Sequence, residues 1–121
     1  MAKQILVIDD SSAIRQSISF ILEQAGYTVV QAPDGLAGLN QAGFDTYDLI
    51  ITDVNMPNMD GITFVRKVRE LEKHKFTPII VLTTENQGTK MEEGKAAGAT
   101  GWIVKPFDSD KLLGVVKKLT S

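Results

Sequence analysis

Asp48-Leu49-Ile50-Ile51-Thr52-Asp53-Val54-Asn55-Met56-Pro57-Asn58-Met59-Asp60-Gly61 reads as a buried strand running into a turn, with a carboxylate, Asp53, at the strand's C-terminal tip. Open α/β sheets bind their ligands in the crevice at the carboxyl ends of the strands. Two other apolar runs end in matching groups: Asp9-Asp10 follows Ile5-Leu6-Val7-Ile8, and Lys105 follows Trp102-Ile103-Val104. Three acids and one amine at three strand tips point to a site that holds a divalent cation and a phosphoryl group.

Short, continuous, β-branched runs recur at 4–9, 28–32, 49–53, 79–83 and 101–104, as expected of strands covered on both faces. Helical patterns lie between them. Ile14, Ile18, Ile21 and Leu22 follow helical spacing, and Gly26 supplies a stop. Asp34 can cap a short helix carrying Leu36 and Leu39. Asp60 can cap one carrying Phe64, Val65, Val68 and Leu71, and Asp108 one carrying Leu112, Val115, Val116 and Leu119. The alternation argues for an α/β domain with a parallel sheet and right-handed crossovers. Segment 87–98 is the weak helix, with Gly94 inside a pattern whose apolar content is Met91, Ala96, Ala97 and Ala99. It reads either as a moving part or as a poor surface helix.

The 121 residues fit one domain, 1–121, with no linker, repeat or effector segment visible. Hydrophobic residues make up 43%, enough for a packed core. The net charge is −2 and the basic residues are scattered, so nucleic acid is not an expected partner. The absence of cysteine excludes disulfides and thiolate metal sites. No apolar run approaches the roughly 18 residues of a membrane span, and no signal peptide opens the chain. A cytoplasmic monomer without membrane association is the expectation. His74 falls in the connection before the fourth strand and is given no role.

The carboxylates set the chemistry. Two of them about 6 Å apart repel by roughly 3 kcal/mol at an effective dielectric near 20. A hard cation offsets this, and Mg²⁺ commonly takes one or two carboxylates together with waters and phosphate oxygens. The Asn55 backbone carbonyl could face the same ion. Asp9-Asp10 alone could instead be a strand-to-helix cap. A carboxylate such as Asp53 can also attack a phosphoryl group and form an acyl phosphate. That transfer needs in-line geometry and neutralised equatorial oxygens, which Lys105 and the cation would supply. Lys105 taken singly could be a snorkelling surface lysine, and Thr83 an ordinary strand residue or a hydroxyl donor to phosphate.

Asp9-Asp10 after strand one, Asp53 after strand three, Thr83 after strand four and Lys105-Pro106-Phe107 after strand five resemble the receiver domains of two-component response regulators, especially the free-standing chemotaxis members. The resemblance spans the whole chain. It implies a single-domain, doubly wound (βα)5, flavodoxin-like fold with five parallel strands in the order 2-1-3-4-5. It implies Asp53 as phosphoacceptor, with Asp10, Asp53 and the Asn55 carbonyl as direct Mg²⁺ ligands and Asp9 acting through water. Lys105 would pair with the phosphoryl group, Thr83 would shift toward it, and the bond before Pro106 would be cis. Trp102 stands where family members more often carry a switching tyrosine or phenylalanine. Thr84 would border the path of attacking water, and Glu85 would face the site or a partner. The implied partners are a CheA-like histidine kinase, a FliM-like flagellar motor switch protein and a possible phosphatase.

Two other chemistries compete. An Asp-nucleophile phosphatase of the haloacid-dehalogenase type wants a second acid two residues past the nucleophile, where this chain has Asn55. A flavodoxin-like cofactor binder wants a phosphate loop after strand one, where Asp9-Asp10 would repel the phosphate. Within the receiver family, a phosphorelay intermediate, a phosphate sink and a non-flagellar output stay open.

Overall fold

The computed structural model describes residues 2–84 and 88–121, the side chains of 88–90 excepted. Five strands, β1 (Gln4–Ile8), β2 (Thr28–Ala32), β3 (Leu49–Asp53), β4 (Ile79–Thr83) and β5 (Gly101–Val104), form one parallel sheet in the order β2-β1-β3-β4-β5. The helices are α1 (Ser12–Gln24), α2 (Gly35–Phe44), α3 (Gly61–Arg69), α4 (Gly88–Ala97) and α5 (Ser109–Thr120). A short 3-10 turn, Glu72–His74, precedes β4.

The continuous apolar runs have a direct cause: both faces of the sheet are covered. Leu6, Ile8, Ile50, Ile79 and Val81 pack with Phe64, Val65 and Val68 on one side. Ile5, Val7, Leu49, Ile51, Ile80, Leu82 and Ile103 pack with Ile18, Leu22, Leu112 and Val116 on the other. Each helix start is fixed locally. Ser11 caps α1, and Asp34, Asp60 and Asp108 accept from the backbone N–H three residues on at 2.8, 2.7 and 2.7 Å. Such caps contribute about 1 kcal/mol each. Gly26 follows α1 with φ +98, the left-handed conformation that favours glycine at a helix end.

Leu36 of α2 points outward at 50% exposure, and the helix buries Gly35, Gly38 and Ala42. A Cβ on Gly38 would overlap the Ile8 side chain, so the helix sits close to the sheet through its small residues. His74 is a core residue within the 3-10 turn rather than part of an open loop. It is fully buried, its Nε2 lies 3.0 Å from the Ala42 carbonyl and 3.1 Å from that of Asp45, and its ring stacks on Tyr47. Two carbonyl acceptors at one ring nitrogen mean that Nε2 carries the hydrogen.

β1 and β3 are the strands at which the winding reverses direction, and Ile8 pairs with Thr52 in their register. Asp9 and Asp53 are the next residues along each strand. The topology therefore delivers both acids to the crevice in which doubly wound sheets bind ligands.

Candidate functional site

The acids do converge. Ligand oxygens of Asp9, Asp10 and Asp53 lie within 4.8 Å of one another; Asp9 and Asp53 are buried and Asp10 is exposed. Lys105 reaches between them, with Nζ 3.0 Å from Asp9 Oδ2 and 3.3 Å from Asp53 Oδ1. The Ser11 N–H donates to Asp9 Oδ1 at 2.9 Å, and the Val54 N–H to Asp53 Oδ1 at 2.9 Å. Both oxygens of Asp9 are thus engaged by the protein, which leaves Asp10 as the acid turned outward.

The electrostatics follow from this crowding. Burial, and then the charge of Asp9, push the Asp53 carboxyl above the ordinary aspartate range, against the pull of Lys105 and the Val54 N–H. For Lys105, burial disfavours the ammonium. The hydrogen bond to Asp9 and the charges of Asp53 and Asp9 outweigh it, so the net push is upward and the side chain stays charged. One ammonium faces three acids, so the cluster retains excess negative charge. Its donors are all oxygens and suit a hard divalent cation such as Mg²⁺.

Of the other expected residues, Thr83 and Thr84 border Lys105. Thr83, buried at the tip of β4, accepts the Lys105 N–H on its carbonyl at 2.6 Å. Asn55 is exposed in the turn after β3. The Lys105–Pro106 bond is cis. Thr84 is exposed and borders a cavity of about 380 Å³ shared with Ile14, Ser17, Ile21, Lys105, Pro106 and Phe107. Trp102 is half-buried, and its Nε1 is buried with no hydrogen-bond partner among the described residues. The expectation for Glu85 lies outside the described residues, as does the first residue of the weak 87–98 segment.

Two residues at the site escaped the sequence reading. A Cβ on Gly61 would overlap the Asp53 carbonyl oxygen, and the Gly61 N–H donates to Val54 O at 2.8 Å, so only glycine lets α3 start this close to the strand tip. The Asp-Gly pair at 60–61 signals a turn but not what lies opposite. Arg15 of α1 donates from Nη1 to the Asp9 backbone carbonyl at 2.6 Å. Its distance from Asp9 along the chain gives no such hint.

Comparison with known proteins agrees with this geometry. Residues 5–117 match the family model of the response regulator receiver domain. The chain is 35% identical over 117 residues to the chemotaxis protein CheY of Pseudomonas aeruginosa, covering 96% of this chain and 94% of that protein. It is 37% identical over 119 residues to the transcriptional regulatory protein SrrA of Staphylococcus aureus, covering 98% of this chain but only 48% of SrrA. Among solved structures, Vibrio cholerae CheY4 superposes with a TM-score of 0.95 at 48% identity, covering 98% of this chain and 99% of the other. The receiver domain of a Pseudomonas aeruginosa sensor histidine kinase, with a magnesium ion coordinated in its active-site cleft, gives 0.92 at 28% identity, covering 99% and 98%. The chain belongs to the response regulator receiver domain family, whose members are phosphoacceptor signalling modules rather than true enzymes.

Proposed function

We propose that Asp53 accepts a phosphoryl group from the phosphohistidine of a CheA-like histidine kinase in a Mg²⁺-dependent reaction. The phosphorylated domain then signals by binding another protein, in chemotaxis control of a FliM-like flagellar motor switch. Receiver domains as a family partner with histidine kinases. The observation that carries the reading is the Asp53 carboxylate held beside Lys105 at 3.3 Å within a cluster of three acids.

In the transfer, an Asp53 oxygen attacks phosphorus in line with the P–N bond; the new P–O bond forms as the imidazole leaves with the electron pair. Bound Mg²⁺ would neutralise phosphoryl oxygens and offset the repulsion among the acids. Asp10, Asp53 and the Asn55 carbonyl would hold it directly, with Asp9 acting through water. The engagement of both Asp9 oxygens by Lys105 and the Ser11 N–H supports that division. Lys105 and Thr83 would take phosphoryl oxygens.

The product carries about −1.5 to −2 charges and three strong acceptors. Drawing Lys105 and Thr83 toward them would let Trp102 pack further inward and bias the surface made of 87–98, 101–105 and 108–119. Phosphotransfer from a purified CheA-like kinase, followed by binding to a FliM-like switch protein, tests both halves. Transfer without that binding would leave the receiver chemistry standing and reject the motor output. A relay or phosphate-sink role is the second reading, favoured by the likeness to the receiver domain of a sensor histidine kinase. A cytoplasmic monomer fits either, and among the described residues no helix is long and apolar enough to cross a membrane.

A further inference from the structure

We infer that Arg15 is the positioning residue of the cation site: its guanidinium holds the Asp9 carbonyl and so aims the Asp10 carboxylate. The inference rests on the Mg²⁺ reading above and deepens it.

Arg15 is the fourth residue of α1, on the helix's N-terminal turn. A cation there opposes the helix macrodipole, and the acids Asp9 and Asp10 just before the helix offset that cost. What fixes the side chain is the 2.6 Å hydrogen bond from Nη1 to the Asp9 carbonyl, with a second from Nε to Gln31 Oε1 at 3.3 Å. The side chain is half-buried, and it ties α1 to the tip of β1 and to β2.

The Asp9 carbonyl belongs to the planar peptide unit that joins Asp9 to Asp10. Fixing its oxygen fixes the direction in which the chain leaves for Asp10. The rest of Asp9 is already held: its N–H donates to Ala32 O at 3.2 Å, and its side chain meets Ser11 and Lys105. Asp10 is exposed, so its aim comes from this peptide rather than from packing. The geometry requires a fork that reaches two acceptors at once. Lysine would keep the charge and lose the fork.

The test is calorimetric titration of Mg²⁺ into the full chain and its Arg15→Ala, Arg15→Lys and Gln31→Ala variants, with metal-free thermal unfolding run in parallel. Loss of an outer partner of a metal ligand typically weakens binding by about 10–100-fold. Arg15→Ala is expected at the lower end of that range, Arg15→Lys is expected to recover only a minor part, and Gln31→Ala is expected to lie between Arg15→Ala and wild type. The lysine variant decides the matter if the alanine variant fails to fold. Wild-type affinity in Arg15→Lys would show that charge suffices and overturn the positioning role. Unchanged affinity in Arg15→Ala, even with a lowered melting temperature, would make Arg15 merely structural. No Mg²⁺ uptake by the wild type would instead overturn the cation reading, and this inference with it.

Discussion

The indole of Trp102 occupies the space that a β-carbon on Gly94 would need: such an atom would stand 2.7 Å from Cζ3 and 3.2 Å from Cε3. Glycine inside a helix costs about 1 kcal/mol relative to alanine. Burying the indole N–H without a partner among the described residues adds roughly 1–3 kcal/mol more. Two local rules are broken at one contact. Such contacts concentrate at functional or strained sites, and this one joins α4 to the strand that delivers Lys105.

Gly94→Ala is therefore expected to dislodge the indole. The helix gains about 1 kcal/mol of propensity, but crowding of this kind typically costs about 1–3 kcal/mol, so the melting temperature should fall slightly or stay level. The emission of Trp102, the sole tryptophan, should shift to the red and become more quenchable by iodide. In the wild type, acetyl phosphate with Mg²⁺ should change that emission, and in the variant much less. Unchanged emission in Gly94→Ala would reject the seat, and no response in the wild type would reject Trp102 as a switch.

Stability should report the strain on Asp53. Its carboxyl is held above the ordinary aspartate range, first by burial and then by Asp9. A carboxyl whose pKa is higher folded than unfolded favours the fold while protonated, and it loses that contribution as pH rises through the folded value. In metal-free protein at pH 7, Asp53→Asn should melt a few degrees above wild type. The two should converge below about pH 4, where the unfolded aspartate is also protonated. A gap that widened on acidification would contradict this sign.

Asp10 is the exposed acid of the cluster, so removing its charge should help the metal-free fold only modestly. Its loss as a ligand should weaken Mg²⁺ at least about tenfold. Calorimetry and metal-free unfolding of Asp10→Asn check both. Equal or lower metal-free stability would mean that the acids do not repel as argued.

Thr84 borders the cavity beside Lys105 and is exposed. Thr84→Ala should open the path for water and speed loss of the acyl phosphate a few-fold, measured as decay of phosphorylated protein after removal of the donor. An unchanged decay rate would remove Thr84 from any modulatory role.

Much of this was readable in the chain. The five strands announced themselves because burial on both faces demands unbroken apolar runs, and Asp34, Asp60 and Asp108 marked helix starts because each side chain satisfies a backbone N–H three residues away. What escaped depends on contacts distant in sequence. The close seat of α2 on the sheet depends on Gly38 lying against Ile8, thirty residues away. His74 looked incidental because its Ala42 and Asp45 partners lie about thirty residues earlier. Gly61 and Arg15 act on backbone carbonyls, and a carbonyl leaves no trace in residue identity.

The most direct measurement is intact-mass spectrometry of the wild type and Asp53→Asn after incubation with acetyl phosphate, with and without Mg²⁺. One added phosphoryl group is expected in the wild type with Mg²⁺, and none in Asp53→Asn or without the metal. Equal phosphorylation of Asp53→Asn, or none in the wild type with millimolar Mg²⁺, would contradict it.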